Sequence, residues 1–435
     1  MNQRLLFFSA ALLLAACNTK NTSRPPQTFY MPAEWDPHEA VWLGWEKDTT
    51  LGFYPAVGEM ITALKPHVTV KIAFDSDSLM RTAKARLIKL GIDTVGIKFY
   101  VMPGERYWIR DHGAAFLVNG KGELGVADFG WDGYGIPAFL KLRYEGNMDS
   151  VNTAIQHLKA RLTKTGNVDS LMAMAEGAKI METKVIHEGG AIEVNGKGTL
   201  ILCEATVLQR NPTLTKAFLE SEFKRVLGVS TIIWMKRGLA DDPHLFYRRI
   251  TANYVGSGTG GHTDEFVRFA NPTTLLLAWV DEKEKDLNPI NQMNYERLSE
   301  NYDILKNAKD QDGKPFTIIK VPLPDLIPKK IRAIKKRENN LNLLVDDFVP
   351  AEAPKAGEPL LRVPASSYMN YLVTNGLVLL PTYAAVGSSK QKEEAVRTIF
   401  EQQFPERKIV FIEAMMQNWD GGGIHCSTQQ QPKRK

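Results

Sequence analysis

The stretches FLVNGKGEL at residues 116–124 and IEVNGKGTL at residues 192–200 are nearly the same sequence occurring twice. Each places an Asn-Gly pair between two short apolar runs, which is among the strongest local signals for a β-hairpin. Two further segments follow the same plan, at 267–278 and 371–380, and a fifth candidate that turns at its proline lies at 34–45. The sequence therefore predicts five hairpins.

These hairpins recur roughly every 80 residues, with a longer interval before the last one. Four of the intervals contain segments with helical periodicity. These segments are 76–90, 148–162, 213–227 and 292–307. We therefore predict an α/β propeller of five pseudo-symmetric ββαβ modules, in one domain over residues 29–435. The longest interval includes a Pro- and Lys-rich segment at about 321–363, which we expect to be an enlarged surface loop.

The first residues are similar to a bacterial lipoprotein signal. Arg4 precedes an apolar run that ends in Leu14-Ala15-Ala16-Cys17, and the run is too short to cross a bilayer as a mature helix. This similarity implies removal of residues 1–16 and lipidation of Cys17, with residues 17–28 forming a linker. A buried N-terminal helix is the alternative. We expect an exported lipoprotein of the cell envelope or periplasm that touches the membrane only through its lipid anchor.

The composition is that of a folded globular protein, with 44% hydrophobic and 24% charged residues. The net charge is +5, and removal of residues 1–16 would take away one charge, that of Arg4. The basic run at 329–337 could contact nucleic acid or an anionic surface, but isolated runs of charge are usually solvated. We therefore expect no nucleic-acid partner, and a homo-oligomer is compatible with the sequence.

Asp111, Glu188 and Asp264 occupy nearly equivalent positions, each a short distance before the asparagine of a predicted turn. If the modules surround a common axis, the three carboxylates meet in one cavity. Clustered carboxylates repel one another unless protons, a metal or a bound cation compensates for their charge. A guanidinium group fits because it is planar, permanently charged and carries five donors. A metal hydrolase that uses His262, Asp264, Glu188 and His425 is disfavoured, since these ligands lack compact spacing.

Cys203 and Cys426 differ in their surroundings. Cys203 lies in the apolar run TLILC and is predicted to be a core residue, whereas Cys426 follows three glycines and His425. A disulfide between them is the alternative in an exported protein. His262 and Asp264 stand two residues apart on a predicted strand and would share a face. A thiol, an imidazole and carboxylates together suffice for covalent hydrolysis of an amidine carbon, without a cofactor.

Two other classes of protein remain open at this level. A Cys-His-Asp amidase or protease would give Asp111 and Glu188 no role in the reaction. A lipoprotein that captures cations without turnover would not need Cys426. The histidines beside the key carboxylates, His112 and His187, are expected to form supporting hydrogen bonds rather than to act in catalysis.

From MPAEWDPHEAVWLGW at 31–45 to GGGIHCSTQQQP at 421–432, the chain resembles the family of agmatine deiminases and Porphyromonas-type peptidylarginine deiminases. Further blocks occur in the same order as in that family. They are WIRDHGAAF at 108–116, EGGAI at 188–192, GGHTDEFVRF at 260–269 and PASSYMN at 364–370.

The resemblance implies the pentein fold, a five-bladed α/β propeller, and a deiminase that converts a guanidinium group into a ureido group and ammonia. It favours agmatine as substrate and N-carbamoylputrescine as product, with arginine or peptidyl arginine giving citrulline as the alternative. It implies neither a metal nor another cofactor. The implied roles are Cys426 as nucleophile, His262 as general acid and base, Asp111 and Asp264 as guanidinium-binding carboxylates, Glu188 in positioning or proton transfer, and Trp108 in lining the pocket.

The chain departs from the family pattern at two places. Agmatine-specific members tend to read EGGxIH, whereas Glu193 follows Ile192 here, and they tend to read NxNRNP where this chain has QRNP at 209–212. Neither departure removes a residue that the chemistry needs. Both leave the identity of the substrate open.

Overall fold

Pairs of antiparallel strands, each followed by a helix and a strand parallel to the second, recur along the chain. The computed structural model describes residues 28–336 and 342–435. The first part of the chain contains β1 (His38–Leu43), α1 (Tyr54–Leu64), β2 (Thr69–Phe74), α2 (Asp77–Lys89) and β3 (Lys98–Val101). The next part contains α3 (Ile109–His112), β4 (Ala115–Val118), β5 (Leu124–Gly130), α4 (Ile136–Arg143), α5 (Met148–Gly166), α6 (Val168–Glu176) and β6 (Lys179–Ile186).

Three further repeats and one insertion complete the mixed α/β fold. The third repeat contains β7 (Glu193–Val194), β8 (Thr199–Cys203), α7 (Glu204–Arg210), α8 (Lys216–Leu227) and β9 (Thr231–Met235). The fourth contains β10 (Arg249–Thr251), β11 (Tyr254–Val255), β12 (Val267–Asn271), β13 (Thr274–Trp279), α9 (Pro289–Asn307) and β14 (Thr317–Pro322). The insertion contains β15 (Lys329–Ile334), β16 (Leu343–Leu344) and β17 (Pro359–Arg362). The last part contains β18 (Leu372–Thr374), β19 (Leu377–Pro381), α10 (Lys390–Gln403), β20 (Lys408–Ile412), α11 (Met415–Asp420) and β21 (Thr428–Pro432).

The four hairpins with an asparagine in the predicted turn are confirmed, as β4–β5, β7–β8, β12–β13 and β18–β19. The asparagine side chains make the turns, because Oδ1 of Asn119 accepts the backbone N–H of Lys121 at 3.0 Å. Asn195 makes the same contact with Lys197 at 3.0 Å. An asparagine side chain that accepts from the backbone two residues later stabilises a turn.

The predicted helices are also confirmed, as α2, α5, α8 and α9. Capping side chains fix where they start. The hydroxyl of Ser76 accepts the backbone N–H of Leu79 before α2, and Thr215 does the same for Phe218 before α8. Such caps satisfy N–H groups that the first helical turn leaves without partners.

The hairpin predicted to turn near Pro37 is wrong. Strand β1 forms no local hairpin but pairs antiparallel with β21, with Val41 opposite Gln430 and Leu43 opposite Thr428. Its other edge pairs parallel with β2. In the other repeats the antiparallel partner is the neighbouring strand in sequence, whereas the partner of β1 is the last strand of the chain, β21.

The segment at 321–363 is not the surface loop that we expected. Strands β15, β16 and β17 join β10 and β11 in a five-stranded sheet. In β15, Ile331 and Ala333 are buried while Lys329, Lys330 and Arg332 are exposed. The period of two that marks a strand was therefore present in the basic run, but its charges concealed it. Lys330 and Arg332 lie on the solvated face, as predicted, and Lys329 is exposed at the start of the strand.

Apolar side chains from sheets and helices form buried clusters behind the strand ends. In the largest cluster, Leu276 of β13 and Val378 of β19 pack with Phe400 of α10, and all three are fully buried. Burial of a side chain of this size contributes roughly 1.5–3 kcal/mol. This packing fixes the ends of the strands, where the polar site residues lie.

The proposed signal peptide at 1–16 and Cys17 lie outside the described residues. Within 28–336 and 342–435, no helix combines the length and the apolar character that a membrane crossing requires.

Candidate active site

Five polar residues occupy one recurring place in the fold, just before the first strand of an antiparallel pair. Asp111 precedes β4, Glu188 precedes β7, Asp264 precedes β12, Asn370 precedes β18 and Cys426 precedes β21. The sequence predicted the equivalence of the first three. Asn370 and Cys426 complete the pattern, so each repeat contributes one polar side chain.

The thiol of Cys426 is buried among polar groups. Nδ2 of Asn370 donates to its Sγ at 3.0 Å, and the sulfur lies 3.6 Å from Oδ2 of Asp264 and 3.9 Å from Oε1 of Glu265. Burial and the carboxylates of Asp264 and Glu265 raise the pKa of the Cys426 thiol well above its ordinary value. Without a ligand, the sulfur therefore carries its proton at neutral pH.

Three of the predicted site residues converge beside Gly190. A Cβ atom on this glycine would lie 2.6 Å from Nδ1 of His262, 2.8 Å from Oδ1 of Asp111 and 2.9 Å from Oδ2 of Asp264. The backbone N–H of Gly190 donates to Oδ1 of Asp111 at 3.0 Å. Glycine is therefore required here, because any side chain would displace the groups around it.

His262 lies between two carboxylates. Its Nδ1 is 3.5 Å from Oδ1 of Asp111, and its Nε2 is 3.4 Å from Oε2 of Glu188. Burial opposes protonation of the ring, but the charges of Asp111 and Glu188 outweigh it and raise the pKa of His262 to about 9. The ring is therefore an imidazolium at neutral pH and can donate a proton.

Glu188 is anchored on its other side by a buried arginine. Nε of Arg210 donates to Oε1 of Glu188 at 2.9 Å, and Arg210 also donates to the carbonyl oxygen of Thr259 at 2.9 Å. Burial opposes ionisation of Glu188, but Arg210 and His262 hold the pKa of this carboxyl below its ordinary value. Glu188 therefore stays charged and keeps the imidazolium in place. The arginine of the QRNP stretch serves the site although its surroundings depart from the family pattern.

Tyr134 was not found from the sequence, yet its hydroxyl donates to Oδ2 of Asp111 at 2.7 Å. Its backbone is in the left-handed region, with φ at 64°, and glycines with φ at 75° and 83° flank it. A non-glycine residue held in this region is a recurring feature of functional sites. Burial nevertheless raises the pKa of Asp111 to about 6, so this carboxyl is mostly charged at neutral pH.

The placement of His262 and Asp264 on one strand is wrong, because a short 3₁₀ helix, Thr263–Glu265, begins directly after His262. The two side chains still meet, since both approach Gly190. The prediction that His425 lies on an extended segment is also wrong. The segment is a turn, and Nδ1 of His425 lies 2.7 Å from Oδ2 of Asp264.

A cavity of about 350 Å³ leads to the sulfur. Trp108 lines the same cavity and lies close to Cys426, because a Cβ atom on Gly422 would be 2.6 Å from the Trp108 ring and 3.1 Å from Cβ of Cys426. The insertion contributes Leu343, Asp347 and Arg362 to the outer wall. Other lining residues are Asp111, Trp131, Tyr134, Phe246, Arg248 and Asp420. The cavity has the size of a small-molecule site.

The histidines beside the key carboxylates are both buried, and neither ring nitrogen of His187 has a hydrogen-bond partner among the described residues. Its ring packs edge-on against Phe129 and Phe223 instead. The expected hydrogen bond of His187 is therefore not formed. Nε2 of His112 accepts the backbone N–H of Arg106 at 3.4 Å, in agreement with a supporting role.

The predicted alternatives of a disulfide and of a metal site built from His262, Asp264, Glu188 and His425 do not match the geometry. Cys203 and Cys426 are both free thiols, and Cys203 is a buried core residue of β8, as predicted. Of the described residues, Asp264, Glu265 and Cys426 have ligand atoms close enough together for a metal, within 4.8 Å of one another. The set considered for a metal hydrolase divides instead into two ion pairs, each of one histidine and one carboxylate.

A buried thiol surrounded by carboxylates and an imidazolium, at the end of a small cavity, defines a cysteine enzyme class that acts on cationic groups. The sequence profile of the Porphyromonas-type peptidyl-arginine deiminase family matches residues 30–432. The chain belongs to this family.

Relatives named agmatine deiminase match almost the whole chain. It is 29% identical over 426 residues to the agmatine deiminase of Ectopseudomonas mendocina (strain ymp), which covers 95% of this chain and 98% of that protein. It is 28% identical over 422 residues to the agmatine deiminase of Pseudomonas aeruginosa (strain LESB58), covering 93% and 95%. The solved structure of the agmatine deiminase of Enterococcus faecalis has a TM-score of 0.70 at 24% identity, covers 94% of this chain and 96% of that one, and has the same fold.

Proposed function

We propose that this protein is a deiminase that hydrolyses agmatine to N-carbamoylputrescine and ammonia through a covalent intermediate on Cys426. The observation that carries the proposal is the meeting of a thiol, an imidazolium and carboxylates at the inner end of one cavity. Relatives named agmatine deiminase match more than nine-tenths of the chain and support this substrate.

Asp111 and Asp264 are the proposed guanidinium-binding groups. Oδ1 of Asp264 has no hydrogen-bond partner among the described residues, so it is available to accept from a ligand N–H. A guanidinium group can donate to two carboxylates at once because its donors lie in one plane. The indole of Trp108 offers a flat surface beside the sulfur against which such a cation can stack.

Substrate binding also activates the nucleophile. The carboxylates beside Cys426 disfavour a thiolate in the empty site, and a bound guanidinium brings a compensating positive charge. The thiol therefore loses its proton to solvent water when substrate binds, since His262 is already protonated. The thiolate then attacks the central carbon of the guanidinium, forming a C–S bond while the C=N electron pair moves to nitrogen.

His262 moves the protons in the next steps. As an imidazolium it donates a proton to the departing nitrogen, the C–N bond breaks and ammonia leaves. The neutral imidazole then takes a proton from water as the water oxygen bonds to carbon. The C–S bond breaks, the remaining hydroxyl proton passes to the sulfur, and the ureido product is released with His262 and Cys426 in their starting forms. Glu188 stabilises the imidazolium.

Arginine and peptidyl arginine are the competing substrates, since they carry the same guanidinium group on a different tail. The tail would lie towards the outer wall, where the insertion contributes both Asp347 and Arg362. Acidic and basic groups thus both occur there. The similarity to relatives named agmatine deiminase favours agmatine.

The arrangement of the modules and the location of the protein form a further part of the proposal. The antiparallel pairing of β1 with β21 and the equivalent positions of the site residues support a closed five-bladed propeller of the pentein type, in one domain over 29–435. The Leu14-Ala15-Ala16-Cys17 stretch supports an exported lipoprotein. Cys17→Ser should release the protein from the membrane fraction of cells that express the full chain. Equal membrane recovery of this variant would contradict the anchor.

The purified protein should be offered agmatine, arginine and an arginyl peptide, with ammonia and ureido product measured. We expect turnover of agmatine, its loss in Cys426→Ser with agmatine binding retained, and unchanged turnover in the matched control Cys203→Ala. Ammonia from none of the three would refute the deiminase proposal, and bound but unaltered agmatine would indicate a cation-binding protein. Faster turnover of the peptide or of arginine would reassign the substrate.

A further inference from the structure

A chain of buried ionisable side chains leads from Asp264 away from the cavity. Oδ2 of Asp264 lies 2.7 Å from Nδ1 of His425, and Nε2 of His425 lies 3.0 Å from Oε2 of Glu34. The same oxygen of Glu34 accepts from Arg268, whose Nε donates to Glu193 at 2.7 Å. No side chain in this relay is more than 11% exposed. None of the proposed reaction steps uses Glu34, His425, Arg268 or Glu193.

We infer that Glu34 and His425 are positioning residues that hold the carboxylate of Asp264 in the orientation that receives a guanidinium group. This inference rests on the proposed function. A carboxylate can turn about its last side-chain bond unless one oxygen is held. His425 holds Oδ2 of Asp264 and leaves Oδ1 without a partner among the described residues, so one oxygen fixes the carboxylate while the other can accept from a ligand N–H.

His425 is held by one backbone contact and two ring contacts. Its backbone N–H donates to Oδ1 of Asn370 at 2.9 Å, and its two ring nitrogens face Asp264 and Glu34. A rotation of the ring would lose both carboxylate contacts in a buried site, where an unpaired charge is costly. His425 therefore transmits the position of Glu34 to Asp264.

Glu34 is anchored to the protein by contacts separate from the histidine. Oε1 of Glu34 accepts the backbone N–H of Val373 in β18 at 2.9 Å. Arg268, which holds the other oxygen, also donates to the carbonyl oxygen of Tyr371 at 3.0 Å and lies over its ring. Glu34 thus ties the segment before β1 to two other repeats, and through His425 it ties them to the site.

Glu193 is the member of this relay at which the chain departs from the family pattern. It stands where agmatine-specific members of the family tend to have histidine, and it binds Arg268 through Oε2 and the backbone N–H of Phe269 through Oε1, at 2.7 and 2.8 Å. The replacement of histidine by glutamate at this position therefore lies in the relay, at the end far from Asp264. A carboxylate here holds Arg268 against Glu34 from the opposite side.

Two substitutions at His425 separate a positioning role from a structural one. The amide nitrogen of asparagine can replace Nδ1 and keep the contact with Asp264, whereas the longer glutamine side chain can replace Nε2 and keep the contact with Glu34. We expect His425→Asn and Glu34→Gln, which each break the link to Glu34 but leave a donor on Asp264, to lower kcat/KM by a similar factor of about 10-fold. His425→Gln, which removes the donor from Asp264, should lower it by about 100-fold, and both losses should come mostly through a raised KM. Glu39→Gln, at an exposed position of β1, is the matched control and should be unchanged.

Thermal midpoints and ligand binding complete the test. In a Cys426→Ser background, Glu34→Gln should weaken agmatine binding by a similar factor, and this readout does not depend on turnover. Equal activity of His425→Asn and His425→Gln, or unchanged binding in Glu34→Gln, would overturn the inference. If the protein binds agmatine but releases no ammonia, the proposed function fails while the binding measurement still decides the role of Glu34. If it binds no guanidinium compound, both fail.

Discussion

Gly190→Ala offers a direct test of the convergence at the site. The added Cβ would lie 2.6 Å from His262, 2.8 Å from Asp111 and 2.9 Å from Asp264, and the backbone of Gly190 is outside the left-handed region, so the change is one of space alone. Non-bonded carbon contacts favour about 3.5 Å. The three polar groups must therefore retreat by roughly 0.5–1 Å. A misplacement of about 1 Å can cost about 100-fold in rate, so we expect kcat/KM to fall by about 10- to 100-fold, or about 1.4–2.7 kcal/mol.

The measurement is kcat/KM for agmatine together with the thermal midpoint. Overpacking costs about 1–3 kcal/mol of stability, so Gly190→Ala should remain folded at the assay temperature. Gly58→Ala, in the middle of α1, is the matched control. Its Cβ would make an ordinary contact of 3.4 Å with Ile92, and we expect a small gain in stability with unchanged activity. Activity of Gly190→Ala within twofold of wild type would refute the convergence.

Four further predictions follow from the site. Because Asp111 gains its charge above pH of about 6 and His262 loses its proton above about 9, a plot of kcat/KM against pH should rise through the first value and fall through the second; a profile without these two limbs would contradict the assignment. Iodoacetamide should alkylate Cys426 faster when a guanidinium ligand that leaves the sulfur accessible is bound, and equal rates would disprove substrate-assisted activation. Trp108→Ala should raise KM for agmatine about 3- to 30-fold with little change in kcat, and an unchanged KM would exclude stacking. Tyr134→Phe removes the hydrogen bond to Asp111 and should lower kcat/KM about 3- to 30-fold, whereas full activity would make that bond dispensable.

The repeats of the fold could be predicted because their signals are local. An asparagine such as Asn119 makes its turn with residues two and four positions later, so the hairpin is visible within a short stretch. The pairing of β1 with β21 could not be predicted in this way, because no neighbouring residue specifies the partner. Burial of Ile331 and Ala333 was signalled by alternation, but the surrounding lysines led to the wrong prediction of a loop.

The residues of the site likewise divide into those that local sequence could predict and those that it could not. Cys426, Asp111 and Asp264 stand in distinctive surroundings, and the structure brings them together. Tyr134 was missed because a glycine on each side indicates an unusual backbone without revealing that the hydroxyl reaches Asp111. Asn370 belonged to a matching block, yet its contact with the sulfur depends on two segments that meet only in the folded protein. Local sequence carries no information on such distances.

The pairing of β1 with β21 affects how the enzyme is made. Trp42 and Gln431, whose side chains form a hydrogen bond across this pair, are 389 residues apart in sequence. Contacts at such separation raise the contact order and slow the formation of the native topology. Until β21 emerges from the ribosome and docks, one edge of β1 is open to incorrect partners. Cys426 directly precedes β21, so a slip of one residue in this late pairing would turn the neighbouring side chains to the wrong face. The newly synthesised chain therefore stays inert towards its substrate until this strand has found its register.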